Sequence, residues 1–532
     1  MESPQRLAKD GAGEQPPVGR LARRQDVEDC GRRNAAEHGE AADPDDQHQQ
    51  CCVAQREHPA IIIDALDQPP IAWLPWSADA FAQAAREHKP VLLSITAAWC
   101  RACHEMDRVT YGDARVAPLI YDRFVPVRID TDRRPDINER YNLGGWPTTA
   151  FLTAEGDLIG GGTFISADRM PEILLRVSDA FASRAPEIAR ARTATTAANA
   201  APASATRPDA GELIDAIFST FDAEFGGFGI EPKFPHTAPL HLAMALFRDT
   251  GTDRWKRIVE RTLDAIADGG LWDREAGGFC RYAATRDWQL PHKEKLLDTN
   301  ALLLRAYAEA ALVFGRPQDR DRCAAIAYFI TTVLRSDQGG YHGSDADLVL
   351  YADANATAVG ALLAAAAVLE DAALAREALT SLERVVLACY KPGFGLAHYF
   401  EQTAHVRGLL VDQISMIGAL LDAHDVSDSE PYRMMAEELG HYMVRQLWDA
   451  DDGGFFDRVL MSDDVGLLRT RRKPFVGNTD AAIVCDRLHR AGHEFDFGPH
   501  AAGALRAAAE QVARQGPLAA HYVLAERQVL SR

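Results

Sequence analysis

The stretch LLSITAAWCRACHEM, residues 92–106, sets Cys100 and Cys103 two residues apart, with Trp99 before them and His104 after them. Three chemistries use this spacing: a redox dithiol, half of a metal site, and covalent haem attachment. Zinc asks for about four ligands; Cys100, Cys103 and His104 make three in a row, and the chain has no second C-x-x-C. Haem attachment fits the spelling CRACH, but no axial ligand or export route is evident. A C-x-x-C in a β-α-β context favours the redox dithiol. In that reading Cys100 begins a helix, where the dipole and free N–H groups favour a thiolate, and Arg101 adds positive charge. Cys100 is then the nucleophile and Cys103, one turn on, the resolving thiol. Trp99 covers one side, and Pro147, after Trp146, is expected as a cis-proline shaping the substrate groove.

The elements that must hold this pair are legible around it. SADAFAQAAREH (77–88) has helical spacing with Ser77 as its cap, and PVLLSIT (90–96) reads as a strand. A helix follows the cysteines, VAPLIYDRF (116–124) continues helically, and VPVRIDTD (125–132) alternates like a strand entering a sheet edge. RPDINERYNL (134–143) is helical, and 144–165 reads as two strands around an Ala-Glu-Gly-Asp turn. A long amphipathic helix from 167 to about 190 closes the unit. The order, β-α-β then β-β-α, predicts an α/β thioredoxin-like domain over 61–190. Residues 191–207, rich in Ala, Thr, Pro and Ser, read as a linker.

The rest, 208–532, is helical by pattern and repeats. Glycine-aromatic turns recur at Phe228, Phe279, Tyr341, Phe394 and Phe455, at intervals of 51, 62, 53 and 61 residues, with a degenerate sixth near Gly516. Each interval accommodates two helices and two loops. Six such hairpins close into an (α/α)6 toroid, with an open α-solenoid as the alternative. The aromatics are expected to line or close one rim.

These motifs carry a resemblance. KPVLLSITAAWCRACHEM, VRIDTDRRPDINERYNLGGWPTTAFLT, GGFGIEPKFPH, GGLWDREAGGFCRYAATRDWQLPHKEKLLDTNALLL and GGFFD are similar to segments of the spermatogenesis-associated protein 20-like family. That family joins a thioredoxin-like domain to a six-hairpin, glycosidase-like toroid. The resemblance implies thiol redox activity, sugar-related chemistry, or both. It has departures: Arg101-Ala102 stand where the family has His-Trp. In the family pattern HFEKMLYDN, here HKEKLLDTN, His292, Glu294, Lys295 and Asn300 are kept, while Asp298 replaces the Tyr and Thr299 the Asp. Cys280 stands where GGGFHRY has His, leaving Arg281 and Tyr282.

Sugar chemistry needs its own residues. Glycoside hydrolysis uses two carboxylates; Glu294 and Asp298 are spaced to share a helical face, and Asp412 opens a helix in a later repeat. An epimerase would want paired bases, for which His292 and His398 are candidates. The expected carbohydrate cup is lined by Phe234, Arg281, Tyr282, Trp288, His292, Glu294 and Asp298. Three readings therefore stand. The first is a thiol–disulfide oxidoreductase acting on a protein thiol or disulfide. The second is a sugar-processing toroid with the dithiol as sensor, and the third a non-catalytic scaffold.

Composition sets the outer bounds. The 532 residues carry a net charge of −20, with 47% apolar and 25% charged residues. That acidity gives no basis for non-specific nucleic-acid binding. No apolar run reaches the ~18 residues of a membrane span, and ATAVGALLAAAAVL (356–369) reads as a buried core helix. With no secretory h-region, the cytoplasm is the expected location. Nine scattered cysteines are not a disulfide framework; the last four, 280, 323, 389 and 485, read as small buried hydrophobes. Residues 1–60, polar and without period, are expected to be a disordered extension, outside the native protein if the start codon is misassigned. No metal or cofactor is expected.

Overall fold

The computed structural model describes residues 71–183, 209–492 and 495–530. The expectations for 1–60, for the linker 191–207 and for Cys30, Cys51 and Cys52 lie outside them. All described residues fall within one compact unit.

Residues 71–183 are thioredoxin-like. Five strands, β1 (Leu74–Pro75), β2 (Val91–Thr96), β3 (Val125–Asp130), β4 (Thr148–Leu152) and β5 (Leu158–Gly162), form one sheet in the order β1-β3-β2-β4-β5. β2 pairs with β3 in parallel and with β4 antiparallel. β3 was expected at an edge, but the two-residue β1 pairs outside it. Helices α1 (Ala78–Glu87), α2 (Arg101–Met106), α3 (Val116–Arg123), α4 (Pro135–Tyr141) and α5 (170–183) cover the faces. The Ser77 hydroxyl caps α1 by accepting from the Ala80 amide. Buried Leu93, Ile95, Val125 and Val127 form one side of the core; Leu92, Ile120 and Phe151 belong to the other. β2 is buried throughout save its last residue, so it delivers Trp99 and Cys100 from a rigid base.

From 209 onward twelve helices lie among the described residues. Six run inside: α7 (Ala238–Thr250), α9 (Leu297–Phe314), α11 (Ala352–Leu369), α13 (Leu410–Ser427), α15 (Phe475–Arg490) and α17 (Ala519–Leu530). Each packs on the next, and α17 returns to α7, so the ring is closed and the solenoid alternative falls. The outer helices are α6 (Ala210–Ser219), α8 (Asp253–Asp268), α10 (Pro317–Thr332), α12 (Ala372–Cys389), α14 (Glu430–Leu447) and α16 (Gly498–Ala509). The apolar 356–369 run lies in α11. This is the one helix among the described residues long and apolar enough to cross a membrane, and it is packed between α9 and α13.

The repeated turns show why their residues recur. Asp222, Asp273 and Asp449 each open a turn, and the amide of each donates to the second glycine's carbonyl. Their carboxylates accept from the next amides and pair with Lys233, Lys295 and Lys473 at 2.8, 2.6 and 2.8 Å. Both glycines of each turn have positive φ, as at Gly226 (68°) and Gly227 (78°), a region that strains residues with a Cβ. At three of the turns the aromatic is then gripped by a side-chain amide from the next inner helix. Asn300 accepts from the Phe279 N–H at 2.7 Å and donates to its carbonyl at 3.0 Å. Asn355 does the same to Tyr341, and Asn478 to Phe455.

Phe228, Phe279, Tyr341 and Phe455 are thus buried in the core and do not line a rim. The fourth turn departs: Phe394 is 56% exposed, and Leu396 takes the gripped place, its amide donating to Gln413. The turn at Gly516 is a short 3₁₀ segment leading into α17. The four cysteines are buried as expected, and burial pushes the thiols of Cys280, Cys323 and Cys389 up to about 11, 12 and 12.

Candidate functional site

Cys100 caps α2 and forms a disulfide with Cys103, whose amide donates to Cys100 Sγ at 3.1 Å. The two cysteines pack with Ala97 and Trp99, against Trp146 and against Leu296 from the helical ring. The Trp146–Pro147 peptide is cis, as expected; Pro147 is buried, and Gly144, Gly145 and Trp146 present the adjoining surface.

The ring reaches this centre directly. A cavity of about 1350 Å³ has Trp99, Cys100 and Trp146 on one wall and Phe234, Arg281, Tyr282, His292 and Glu294 on the other. Of the two sulfurs' residues only Cys100 lines it. The Arg281 guanidinium lies 4.5 Å from the Trp99 ring centroid and 4.8 Å from that of Trp146, within cation–π range of both. Tyr282 stacks on Phe234 at 4.7 Å and on His292 at 4.0 Å, and its hydroxyl shares a 2.8 Å hydrogen bond with His292 Nε2. Burial raises the Tyr282 hydroxyl above its ordinary value. Glu294 Oε2 lies 3.9 Å from His292 Nδ1 and is buried without a hydrogen-bond partner.

The residues expected to form a sugar cup are therefore divided. Phe234, Arg281, Tyr282, His292 and Glu294 share the dithiol cavity. Trp288 does not: it is 1% exposed, its indole N–H donates to the Phe225 carbonyl, and Lys233 sits over its ring. Glu294 and Asp298 share no helical face, because α9 begins at Leu297 and Glu294 lies in the extended approach to it. Asp298 lines a second cavity, of about 260 Å³, beyond Trp146. His398 borders that same second cavity, so the two candidate histidines do not face each other. Asp412 is wholly buried under His398, its Oδ1 2.8 Å from His398 Nδ1.

The second cavity is closed on one side by α4, which lies over the N-terminal ends of the inner helices. Arg140 of α4 is fully buried; it contacts the Asp457 carboxylate at 2.7 Å and donates to the carbonyls of Leu467 and Thr470 at 3.0 and 2.9 Å. Tyr141 accepts from the Leu467 amide at 2.8 Å, and Arg133 pairs with Glu401 at 3.0 Å. At Gly156 and Gly466 the two backbones cross so closely that a Cβ on either would land on the other chain segment. The thioredoxin-like part is thereby seated on the rim of the toroid. Asp132 joins the two centres. Its carboxylate accepts from the Trp99 indole, and its carbonyl accepts from His398 Nε2 at 2.7 Å. Burial, with Asp130 alongside, pushes the Asp132 carboxyl up to about 7.

Sequence reasoning did not single out Asp132, Trp146, Leu296 or Arg140 as site residues. Trp146 sits beside the expected cis-proline and could have been found from that. The others act through contacts made by distant parts of the chain.

Comparison with known proteins fits this construction. A family model described as Thioredox_DsbH, protein of unknown function, DUF255, matches residues 55–199. Spermatogenesis-associated protein 20 of Mus musculus is 29% identical over 310 residues, covering 52% of this chain and 39% of the mouse protein. The chain thus spans less than half the length of the curated relatives it matches first. A thiol:disulfide interchange protein DsbD of Ralstonia nicotianae is 36% identical over 72 residues, 13% of this chain and 12% of that one. A sugar epimerase from a ruminal bacterium superposes with a TM-score of 0.50 at 13% identity, over 61% of this chain and 98% of that structure; at that identity the likeness is one of fold. Motifs, relatives and architecture agree that this chain is a homologue of the spermatogenesis-associated protein 20 proteins, a DsbH-like thioredoxin domain joined to an (α/α)6 toroid.

Proposed function

We propose that the chain is a thiol–disulfide oxidoreductase whose substrate enters the cavity between the dithiol and the toroid rim. The observation that carries this reading is that Cys100 alone of the pair borders a cavity whose opposite wall belongs to the toroid. With the centre oxidised, a substrate thiolate attacks Cys100 Sγ, forming a mixed disulfide and releasing Cys103 as thiolate. A second substrate thiolate then attacks the substrate sulfur of that bond and releases Cys100. The substrate leaves oxidised and the pair is reduced; with a disulfide substrate the steps run in reverse. Trp99 and Trp146 flank the sulfur, and Arg281 brings a positive charge to the wall where thiolates form. A cavity of about 1350 Å³ suits a peptide segment, so the substrate class is a protein or peptide thiol or disulfide.

Turnover of a fluorogenic disulfide peptide, with the reduced protein regenerated by dithiothreitol, tests this. Wild type should turn over and Cys100→Ser should be inactive, while pre-reduced Cys103→Ser, freed of dithiothreitol, should stop at the mixed disulfide. Equal turnover by Cys100→Ser would defeat the reading.

A carbohydrate reading has one specific observation in its favour. A lumen of about 330 Å³ inside the ring is lined by His241, Arg305, Asp422, Arg487 and His521, side chains able to bind hydroxyl groups. Ile414, Ser415 and Asp480 also line a separate pocket of about 270 Å³ against Pro135, Asp136 and Glu139 of α4, so a sugar would pass under α4. Calorimetric titration of the full chain with free mono- and disaccharides tests it, and the absence of heat with every sugar would remove it.

A further inference from the structure

Three side chains from three separate elements meet next to the cavity beyond Trp146. Asp353 is the second residue of α11 and Asp412 the third of α13. His398 lies on the strand Gly395–Glu401 that packs on both helices. His398 Nδ1 is 2.8 Å from Asp412 Oδ1 and 3.9 Å from Asp353 Oδ1, and one ligand atom from each of the three residues lies within 4.8 Å of the others. No short sequence spacing announces the trio, because Asp353 reaches the other two only through the packing of α11 on α13 and on the His398 strand.

The hydrogen bonds define what this pocket lacks. His398 Nε2 is 2.7 Å from the Asp132 carbonyl, which can only accept, so Nε2 carries a hydrogen. Nδ1, 2.8 Å from Asp412 Oδ1, then either carries a proton that it donates to Asp412 or, in the neutral ring, directs a lone pair at two carboxylates that a metal ion would bridge. Asp412 points the same way independently. Its side chain is 0% exposed, and its Oδ2 has no hydrogen-bond partner. A buried carboxylate oxygen left without a partner is costly.

The adjoining cavity of about 260 Å³ is lined by Asp132, Glu139, Asp298 and Asp353 together with His398, and no Lys or Arg lines it. Asp353 is 26% exposed at its side chain, so the trio is reached from that cavity.

We propose that His398 Nδ1, Asp353 and Asp412 bind one divalent transition-metal ion, with water from the cavity completing its coordination. One imidazole and two carboxylates, without sulfur, suit Mn²⁺ or Zn²⁺. Metal–ligand bonds of about 2.1 Å put tetrahedral ligands roughly 3.4 Å apart, and the two measured separations, 2.8 and 3.9 Å, straddle that value. The outer shell is already present: a ligating histidine usually gives its other N–H to a carbonyl or carboxylate, and His398 gives it to Asp132. Two carboxylates balance the ion's charge. The bound ion ties α11, α13 and the His398 strand to the loop that holds Trp99, and so links toroid and dithiol. The competing occupant is a proton on Nδ1, which leaves the site without a metal.

The test uses the full chain with its dithiol oxidised, stripped with EDTA and titrated with Mn²⁺ alone under electron paramagnetic resonance. One Mn²⁺ should bind per chain, with hyperfine coupling to a single imidazole nitrogen. Asp353→Asn should weaken binding about ten-fold or more, while Asp298→Asn, which lines the cavity without ligating, should keep the nitrogen coupling. Circular dichroism confirms that each variant is folded; the wild-type stoichiometry and coupling do not depend on either. Failure of wild type to bind both Mn²⁺ and, in a parallel titration, Zn²⁺ overturns the proposal. Bound metal without nitrogen coupling, or unchanged binding by folded Asp353→Asn, overturns it equally.

Discussion

Replacing Arg140 by Met tests how firmly the thioredoxin-like part is held on the toroid. Methionine keeps the apolar stem and removes the guanidinium. The contact with Asp457 is lost, with both partners' side chains under 10% exposed, as are two hydrogen bonds to the carbonyls of Leu467 and Thr470. Removing one partner of a buried ion pair costs about 3–5 kcal/mol, because the remaining charge is left uncompensated. These contacts all cross the interface, so the cost falls on its opening. At about 1.4 kcal/mol per factor of ten, the opening constant should rise by roughly 150-fold to a few thousand-fold. The readout is amide hydrogen exchange by mass spectrometry over 466–472, where the Leu467 N–H is held by Tyr141. The control is Arg133→Met, whose pair with Glu401 is exposed at 37% and 44% of the two side chains. A surface pair of that kind is worth ~0–1 kcal/mol, so exchange should change by less than about five-fold. If Arg140→Met exchanges no faster than the control, Arg140 does not hold the thioredoxin-like part on the toroid.

Three further outcomes follow from the same contacts. Asn300→Ala removes three hydrogen bonds to the carbonyl and amide of Phe279 and the carbonyl of Leu296, and leaves buried backbone groups unpaired. It should cost about 3 kcal/mol in urea unfolding, and a loss below about 1 kcal/mol would show that the turn does not need its grip. Burial pushes the Asp222 carboxyl upward, but the hydrogen bonds from Arg286 and Lys233 outweigh it and hold it well below the ordinary carboxylate range. A depressed folded value gives stability that is complete above the ordinary carboxylate pKa, about 3.9, and is lost as pH falls through the folded value. Wild type should therefore lose stability below about pH 4 more steeply than Asp222→Asn, and parallel acid-unfolding curves would contradict this. Arg281→Leu should slow reaction of the reduced centre with a disulfide peptide near pH 7, by about ten-fold for each 1.4 kcal/mol of lost thiolate stabilisation. Its rate should approach wild type at alkaline pH, where the thiolate forms without help; an equal deficit at every pH would give Arg281 a purely steric role.

The parts of this molecule written into adjacent residues were legible in the sequence. The strand–dithiol–helix unit, the cis-proline after Trp146 and the Ser77 cap depend on near neighbours, and the hairpin period is set by glycines that must turn. The site composition was half legible. Phe234, Arg281, Tyr282, His292 and Glu294 were found by motif, but they were grouped around a sugar, whereas the fold turns them toward Cys100. Glu294 and Asp298 looked like helical neighbours because i,i+4 spacing is blind to where a helix starts, and α9 starts between them. Phe394 looked like its fellow aromatics, yet the chain forms a hairpin there and Leu396 is gripped in its place. The seating of α4 was not legible at all. Arg140 and Asp136 look like ordinary charges on a short helix, and only partners some 300 residues away reveal that both are buried.

The central claim is that exchange occurs at Cys100 inside a cavity half built by the toroid. The direct measurement is covalent capture by Cys103→Ser of a disulfide-containing peptide, followed by mass-spectrometric mapping and by the capture rate in the same variant carrying Tyr282→Ala. The account predicts a single adduct at Cys100, formed more slowly when the toroid wall is altered, while the rate with a small aromatic disulfide stays unchanged. No adduct at Cys100, or capture of the peptide at an undiminished rate without Tyr282, would contradict it.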